Sequence, residues 1–389
     1  MSQYLNQFYQ ILIIVFICPL LNAWNFPQLR DYVGVDEERE NYKCYGEDIG
    51  CFANEWPFYS SWMFGRKGVL PQSVAEINAA YTVFTCSNEV ACQDKSVFSA
   101  GYDVGWEKNA TTTQFTAHVP TIFLIHGYAS WADYWCANIK NELMEYYNGQ
   151  VNAVLVEWKD GANQTYPQAV SNARLVARQI ANIAENLVKD GIVDSSDIRL
   201  VGHSVGAQLA GYVGKEFFKS TGKKIGRIDA MEPARIDAPS SVIKTASLLF
   251  LNDAIFNRQS PEYGELQLTR NDADFVQVIH TTPGIVLLAL ANGIGHADFY
   301  PSSYGFYGSW LVDVYQGGCG ADPACNHSRS HLYYKRSINS PQCFHTTGHE
   351  SKNTMGFHAV KPGIPTAYSI TVKHLSTFSS TPIQNECGI

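Results

Sequence analysis

Ser204 is the strongest candidate for a chemically reactive residue. It lies in the stretch Gly202-His203-Ser204-Val205-Gly206. The sequence predicts an apolar strand over 197–202 and a small-residue helix over 205–218, so the serine falls at a strand-to-helix turn. Glycines on both sides allow a tight, strained turn that lifts the hydroxyl above a sheet, with the helix N-terminus facing the reacting carbonyl. The pattern therefore predicts a serine nucleophile.

A serine hydroxyl needs a base to take its proton, and His327 is the predicted base. It follows Cys325, which a disulfide can hold, and it lies past the last core strand, where a loop can reach the sheet edge. His296 is the alternative, although its stretch "GHADFYP" (295–301) better fits a loop ordered beneath the site. His280 lies inside an apolar strand and is interpreted as a core residue.

The acid that orients the histidine is expected on the next strand, within "GRIDAMEPARID" (226–237). Glu232 falls where Pro233 ends the strand, at the edge that faces Ser204, and is the predicted acid. Asp229, inside the strand, and Asp237 stay open as alternatives.

The oxyanion hole needs two backbone N–H donors. Val205 follows the nucleophile, and Tyr128 follows an earlier strand that stops at Gly127. These two amides are the predicted donors.

The elements that would position these residues alternate between strands and helices. Apolar runs predict strands at 121–127, 152–158, 197–202, 224–231 and 274–281. Helical spacing predicts a helix over 168–189, with Pro167 in its first turn. Strands separated by helices predict an α/β fold with a mostly parallel sheet, whose site lies at the carboxyl ends of the strands.

The two ends of the chain and its charge limit the class of protein. Residues 11–23, "ILIIVFICPLLNA", predict a signal peptide cleaved after Ala23, with a short membrane anchor as the alternative. Residues 24–389 are then predicted to form one catalytic domain. The net charge is −8 and no basic run is present, which argues against a nucleic-acid surface.

Nine cysteines remain after removal of that segment, as expected of disulfide bonds in a secreted chain. Close spacing predicts three local pairs, Cys44–Cys51, Cys86–Cys92 and Cys319–Cys325. Cys343–Cys387 is the expected fourth pair, which leaves Cys136 free. Asn109 and Asn163 are predicted glycosylation sites, and Asn326 also fits the acceptor pattern.

Taken together and in this order, the motifs resemble the animal pancreatic-type lipases, with their vertebrate lipase and arthropod phospholipase A1 relatives. The resemblance covers roughly residues 40–375 and rests on "CYGEDIGCF" (44–52), "FLIHGY" (123–128), "LVEWKDG" (155–161), "LVGHSVGAQLAG" (200–211), "IGRIDAMEPA" (225–234), "DFVQVIHT" (274–281), "GHADFYP" (295–301), "CNHSRSHLYY" (325–334) and "MGFHA" (355–359). It implies an α/β-hydrolase fold in a single domain. It also implies Ser204 as nucleophile, His327 as base, and Tyr128 and Val205 as oxyanion donors.

The sequence departs from this family at two places. The family has Asp before Pro-Ala, where this chain has Glu232; glutamate can orient an imidazole from one methylene further away. In the family's calcium loop, the chain keeps Asp272 but has Thr269 where a second acidic ligand is expected. We therefore predict no cofactor and no metal ligands, with a structural calcium left open.

The disulfide loop before His327 encloses only residues 320–324. In the family this disulfide closes a lid, which is long and amphipathic in triglyceride lipases. Five residues cannot form two helical turns, so an open site that admits a polar headgroup is implied. Trp310 and Leu311, just before the loop, are predicted to contact acyl chains or a membrane, with ordinary packing as the alternative.

These observations predict a secreted serine esterase that hydrolyses lipid acyl esters, most similar to phospholipase A1. The alternatives are a triacylglycerol lipase or galactolipase of the same family, a general carboxylesterase and, from another class, a non-catalytic lipid-binding or yolk-like protein. The expected partners are the lipid substrate and a membrane or lipid-droplet surface. Neither nucleic acid nor a colipase-like protein is expected, and the chain is predicted to be monomeric.

Overall fold

The apolar runs of the sequence form the central strands of a mixed sheet. The structure is a computed structural model, which describes residues 42–54, 69–86, 99–235, 265, 267–282, 293–302, 316, 319, 322–346 and 352–372. In this part of the chain the strands are β1 Tyr42–Cys44, β2 Cys51–Ala53, β3 Ala80–Phe84, β4 Tyr102–Asp103, β5 Thr121–Ile125, β6 Asn152–Glu157, β7 Ile198–His203, β8 Ile225–Met231, β9 Ala273–Ile279, β10 Ala297–Ser302 and β11 Thr366–Thr371.

The helices of the described residues lie between these strands. They are α1 Val74–Ile77, α2 Trp135–Tyr146, α3 Lys159–Ala162, α4 Tyr166–Lys189, α5 Val205–Thr221 and α6 Pro323–Asn339. Short 3₁₀ turns occur at Ser195–Asp197, Arg270–Asp272 and Pro341–Phe344. None of the helices described is long and apolar enough to cross a membrane.

Nine strands form the main sheet in the order β11-β10-β9-β8-β7-β5-β6-β3-β4, as far as the described residues extend. All neighbours from β11 to β6 are parallel, whereas β3 pairs antiparallel with β6 and with β4. The central strands are apolar along most of their length because helices cover both faces of a parallel sheet. This is the predicted α/β-hydrolase fold, a mostly parallel sheet flanked by helices.

The parallel register brings the ends of β5, β7, β8 and β9 to one edge. Gly202 of β7 pairs with Ile125 on one side and with Ala230 on the other, and Met231 pairs with Ile279. Ser204, Glu232 and His280 therefore leave neighbouring strands at the same edge of the sheet.

Two predicted loops are regular elements in the structure. The stretch 295–301 was expected to be a loop, but it contributes strand β10 between β9 and β11. His327 was expected on a loop, but it lies in helix α6, which Asp322 caps by accepting hydrogen bonds from the amides of Ala324 and Cys325. Residues 1–23, the predicted signal peptide, lie outside the described residues.

Candidate active site

The turn that carries Ser204 is strained and firmly held. Ser204 has φ 58° and ψ −121°, a conformation that L-residues rarely adopt. Its amide donates to Met231 O at 3.0 Å, and its carbonyl accepts from the amide of Ala234 at 3.1 Å. These bonds fasten the turn to both sides of Glu232, at the end of the neighbouring strand β8.

Both flanking glycines are required by close packing. A Cβ atom on Gly202 would lie 2.3 Å from Gly206 O, and one on Gly206 would lie 2.3 Å from Ile125 O. The N-terminus of α5 can thus approach the ends of β5 and β7 only because these side chains are absent. Ser204 thus lies on a tight, strained turn between strand β7 and helix α5, as the glycine pattern predicted.

The loop after β5 lies directly against this turn. A Cβ atom on Gly127 would lie 2.9 Å from Ser204 Cβ and 3.3 Å from the amide nitrogen of Val205. In the described part of the chain, no residue accepts a hydrogen bond from the amides of Tyr128 or Val205. Two N–H groups beside the serine are therefore available to an oxyanion.

A single carboxylate fixes both ends of this loop. Glu157 Oε1 lies 2.9 Å from His126 Nε2, and Glu157 Oε2 accepts from the amide of Ala132 at 2.9 Å. The indole of Trp158 donates to His126 O at 2.9 Å. The backbone around Tyr128 is thus held before any substrate binds, as electrostatic preorganisation requires.

His327 lies beside the residue that precedes the nucleophile. His203 Nε2 donates to His327 O at 3.1 Å, and the two imidazole centroids are 4.6 Å apart. The Nδ1 atom of His327 is buried and has no hydrogen-bond partner among the described residues. The structure therefore brings His327 to the Ser204 turn, with one ring nitrogen unpartnered.

A third imidazole completes a histidine cluster, defined as His203, His327 and His331. The His331 ring lies 5.3 Å from that of His203 and stacks on Trp135 at 5.5 Å. His327 and His331 are four residues apart in the sequence, a spacing that is common in metal sites. Even so, within the described ranges no group of three or more His, Cys, Asp or Glu side chains could hold a metal ion.

Burial keeps this cluster uncharged. It lowers the pKa of His203 to about 4 and that of His331 to about 3. Burial, with His203 and His331 nearby, lowers the pKa of His327 well below its usual value. A neutral His327 is the form that can accept a proton.

The cluster predicts acid sensitivity of the fold. A histidine whose pKa is lowered in the folded state contributes to stability at pH values above its unfolded-state pKa of 6.5. This contribution is lost as the pH falls towards the folded-state pKa. We expect the free energy of unfolding to fall between pH 6.5 and 5, by up to ~1.4 kcal/mol per pH unit for each buried histidine. Urea unfolding at several pH values measures the slope. Replacing His331 with glutamine removes one titrating group and should reduce that slope by up to ~1.4 kcal/mol per pH unit. An unchanged slope would contradict the explanation.

Glu232 is fully buried at the carboxyl end of β8 with a positive φ of 47°. Its Oε2 accepts from the amide and hydroxyl of Thr281, and its Oε1 accepts from the amide of Thr282 at 3.1 Å and from its hydroxyl at 2.7 Å. Burial raises the pKa of Glu232. In the described part of the chain it makes no hydrogen bond to His327, so the predicted acid and base are not in direct contact.

Gln316 bridges the surroundings of these two residues. The side-chain Nε2 of Gln316 donates to Thr281 O at 2.9 Å, and its backbone N–H donates to the side-chain oxygen of Asn326 at 2.6 Å. Thr281 holds Glu232, and Asn326 precedes His327. Gln316, Thr281 and Thr282 were not among the predicted site residues; their one signal in the sequence is the polar Thr-Thr pair after the apolar run of β9.

Asp229, the alternative acid, has a different environment. Its carboxylate accepts from Arg199 Nε, from Arg227 Nε at 2.7 Å and from the Tyr334 hydroxyl at 2.6 Å. Burial alone would raise the pKa of Asp229, but the two arginines outweigh it and hold the pKa below its usual value. This cluster is a buried ion network within the sheet, and none of the described hydrogen-bond partners of Asp229 is a histidine. Asp237, the third candidate, lies outside the described residues.

The two remaining candidate histidines are structural. His296 Nδ1 accepts from the amide of Val276, in the middle of β9, at 3.1 Å. His280 is a buried core residue, as predicted, with Nε2 3.0 Å from Asp298 Oδ1 and its ring stacked on Tyr300 at 4.5 Å.

The predicted disulfides can be followed in part. Cys44–Cys51 and Cys319–Cys325 are bonded, and the thiol of Cys136 is buried and free. Cys343 is disulfide-bonded; its predicted partner Cys387 lies outside the described residues. The same holds for Cys92 in the predicted pair with Cys86, and for Trp310 and Leu311.

The three glycosylation motifs differ in exposure. Asn109 and Asn163 are exposed, as an acceptor must be. Asn326 is 3% exposed, and its side chain bonds to the backbone of Gln316 and Asp322. A glycan on Asn326 would require these bonds to break.

The parallel sheet and the serine at its nucleophile turn define an α/β-hydrolase. The sequence matches the Lipase family over residues 42–362, and the chain belongs to that family. It is 29% identical to inactive pancreatic lipase-related protein 1 of Mus musculus, over 84% of this chain and 63% of the relative. It is 29% identical to pancreatic triacylglycerol lipase of Oryctolagus cuniculus and 30% identical to that of Homo sapiens, in both cases over 77% of this chain and 60% of the relative.

The chain thus spans about three-fifths of the length of these curated relatives. A similar solved structure is the acetyl xylan esterase from Aspergillus awamori, with a TM-score of 0.29 and 11% identity over 47% of this chain and 68% of that chain. At this score the match adds nothing to the topology described above.

Proposed function

We propose that this chain is a secreted carboxylic ester hydrolase that cleaves lipid acyl esters through an acyl-enzyme on Ser204. The observation that carries the proposal is the strained turn of Ser204, beside which the amides of Tyr128 and Val205 have no described acceptor. Strain of this kind persists where the surrounding structure enforces it, often at reactive sites. Two disulfides and two exposed glycosylation motifs support secretion.

In the proposed reaction, neutral His327 takes the proton of the Ser204 hydroxyl as the oxygen attacks the ester carbonyl. The carbonyl oxygen becomes an oxyanion and accepts hydrogen bonds from the amides of Tyr128 and Val205. The protonated imidazole then gives its proton to the leaving alcohol, and the ester bond breaks. Water, deprotonated by His327, hydrolyses the acyl-enzyme and regenerates the serine.

We assign to Glu232 the role of stabilising the protonated form of His327. Glu232 and His327 flank the Ser204 turn, and the Gln316 bridge connects their surroundings. For Nε2 to accept the serine proton, Nδ1 of the neutral ring must carry the hydrogen; this buried Nδ1 has no described partner and can donate to a carboxylate. The assignment requires the carboxylate to exchange part of its Thr281 and Thr282 bonds for Nδ1.

For the substrate, we propose phospholipids cleaved as by a phospholipase A1. The support is the sequence length of the disulfide loop: the five residues between Cys319 and Cys325 are too few for a helical lid of two turns, and a site without such a lid would admit a polar headgroup. Purified protein is incubated with phosphatidylcholine vesicles and, separately, with triolein emulsion, and the products are identified by mass spectrometry. We expect lysophosphatidylcholine that has lost its sn-1 acyl chain. Release of fatty acid from triolein alone would replace this proposal with triacylglycerol lipase activity, and cleavage of short-chain esters alone with a general carboxylesterase.

A non-catalytic lipid-binding role is the second candidate, and one observation favours it. Both oxygens of Glu232 are already bonded to threonines, so His327 has no acid partner in the described contacts. Some relatives are also named inactive. An organophosphate ester separates the two functions, because an activated serine forms a stable adduct and a binder does not react. Mass spectrometry should locate the adduct on Ser204.

A further inference from the structure

Residues 267–272, here called the acidic loop, precede β9 at the position where the resembling family binds calcium. Asp272 is 6% exposed, and Thr269 caps the short 3₁₀ turn above it. Asp272 Oδ1 accepts from the Thr269 hydroxyl at 3.0 Å, and Oδ2 accepts from the Thr269 amide at 2.8 Å. Thr269 stands where the family has a second acidic ligand, and it donates hydrogen bonds to Asp272, the acid that remains.

A cation from helix α5 occupies the oxygens of this loop. The ammonium group of Lys215 donates to Asp272 Oδ2 and to Gln267 O, the latter at 3.0 Å. A carboxylate and a backbone carbonyl are the two kinds of oxygen that calcium uses in proteins. In this chain, the carboxylate and the carbonyl already accept hydrogen bonds from the ammonium group of Lys215.

The donor set does not fit calcium. The ion takes 6–8 oxygen ligands. The loop offers one carboxylate, whose two oxygens already accept hydrogen bonds, and the side chain of Glu265, two residues before the loop, is exposed. A divalent ion at these oxygens would also lie beside the Lys215 ammonium and be repelled by it.

Beside the partly exposed Lys215 side chain, the backbones of loop and helix are in close contact. A Cβ atom on Gly214 would lie 2.1 Å from Asp272 O, and one on Gly211 would lie 2.9 Å from Leu268 Cα. Such contact is stable only if the charge on buried Asp272 is compensated.

The same loop supports the nucleophile turn. Gln208 Oε1 accepts from the amide of Leu268 at 2.7 Å, and Gln208 Nε2 donates to Ala234 O at 2.6 Å. The amide of Ala234 donates to Ser204 O at 3.1 Å. Gln208 and Ala234 thus form a hydrogen-bonded path from the acidic loop to Ser204.

We propose that the ammonium group of Lys215 is the resident cation of the acidic loop and replaces a bound calcium ion, so that the fold does not depend on the metal. The inference rests on the loop geometry and is independent of the reaction that Ser204 performs.

Two measurements on the full chain test the proposal. The first compares thermal unfolding in excess EGTA and in millimolar calcium chloride, where the midpoints should agree within about 1 °C because no site takes up calcium. The second replaces Lys215 with methionine, which keeps most of the aliphatic chain but leaves Asp272 without its cation. We expect the midpoint to fall by roughly 5 °C or more.

Lys219→Met is the matched control. Lys219 lies one turn further along α5, is exposed, and loses the same charge. Its midpoint should stay within about 1 °C of the wild type. The proposal is overturned if calcium raises the wild-type midpoint by several degrees, or if Lys215→Met is as stable as Lys219→Met. Should Lys215→Met fail to fold, calorimetric titration of the wild type with calcium alone decides: heat of binding refutes the proposal, and its absence supports it.

Discussion

Replacing Ser204 with alanine or glycine is expected to lower kcat for ester hydrolysis by at least ~10⁴-fold, because no acyl-enzyme can form. The two variants should nevertheless differ in stability. Alanine retains the Cβ atom that makes φ 58°, ψ −121° unfavourable, whereas glycine does not. Part of this gain is offset because glycine loses more backbone entropy on folding. We expect the glycine variant to be more stable than the alanine variant by ~1 kcal/mol in urea unfolding.

Ser220→Ala serves as the control for this comparison. Ser220 is exposed near the far end of the same helix, so its loss should leave kcat unchanged. Organophosphate labelling should disappear in both Ser204 variants and persist in the control. Retention of a few per cent of wild-type turnover by Ser204→Ala would show that another residue is the nucleophile.

The sequence was sufficient to predict the centre of the fold because its strands are buried on both faces. Runs such as "TIFLI" and "NAVLVE" contain little but apolar residues and end at glycine or polar residues, so β5 and β6 could be located within two residues. Strand β11 was missed, although its buried residues Tyr368 and Ile370 alternate with the exposed Ala367 and Ser369. That alternation is typical of a strand with one solvated face.

Helix α6 shows why a residue can be identified while its local structure is not. Its sequence is polar and weakly periodic, so the pattern that revealed α4 was absent. The Asp322-Pro323 pair was nevertheless a readable start signal, since Asp is a favoured N-cap and Pro is favoured at the first helical position. His327 was identified by its order in the chain, which does not depend on whether it lies in a helix or a loop.

Contacts between different strands could not be predicted from one strand alone. The choice between Asp229 and Glu232 depended on how far each lies from the end of β8. Their actual partners come from β7, from the end of β9 and from α6. Such contacts follow from strand order and register, which no single stretch of sequence contains. The histidine cluster is a similar case, because it joins the end of β7 to one face of α6.

The two acids should respond in opposite ways to removal of their charge. We expect Glu232→Gln to lower kcat by ~10²–10⁴-fold, because a neutral amide cannot stabilise a charged His327. We expect Asp229→Asn to leave kcat of the folded protein nearly unchanged but to reduce stability by ~3–5 kcal/mol, since Arg199 and Arg227 would share no buried counter-ion. Steady-state kinetics and urea unfolding of both variants measure the two effects.

The pH dependence of kcat distinguishes a catalytic loss at Glu232 from a structural one. If Glu232 acts on His327, the pKa of the base in the substrate complex should fall further when the carboxylate is removed, and the acid limb of the profile should move to lower pH. A glutamate that merely anchors Thr281 and Thr282 would lower the unfolding free energy and leave that limb in place. Glu232→Asp is the conservative control, because it keeps the charge and should recover part of kcat. Loss of kcat in Asp229→Asn without loss of stability would instead identify Asp229 as the acid, since its charge would then act on the reaction and not on the arginines.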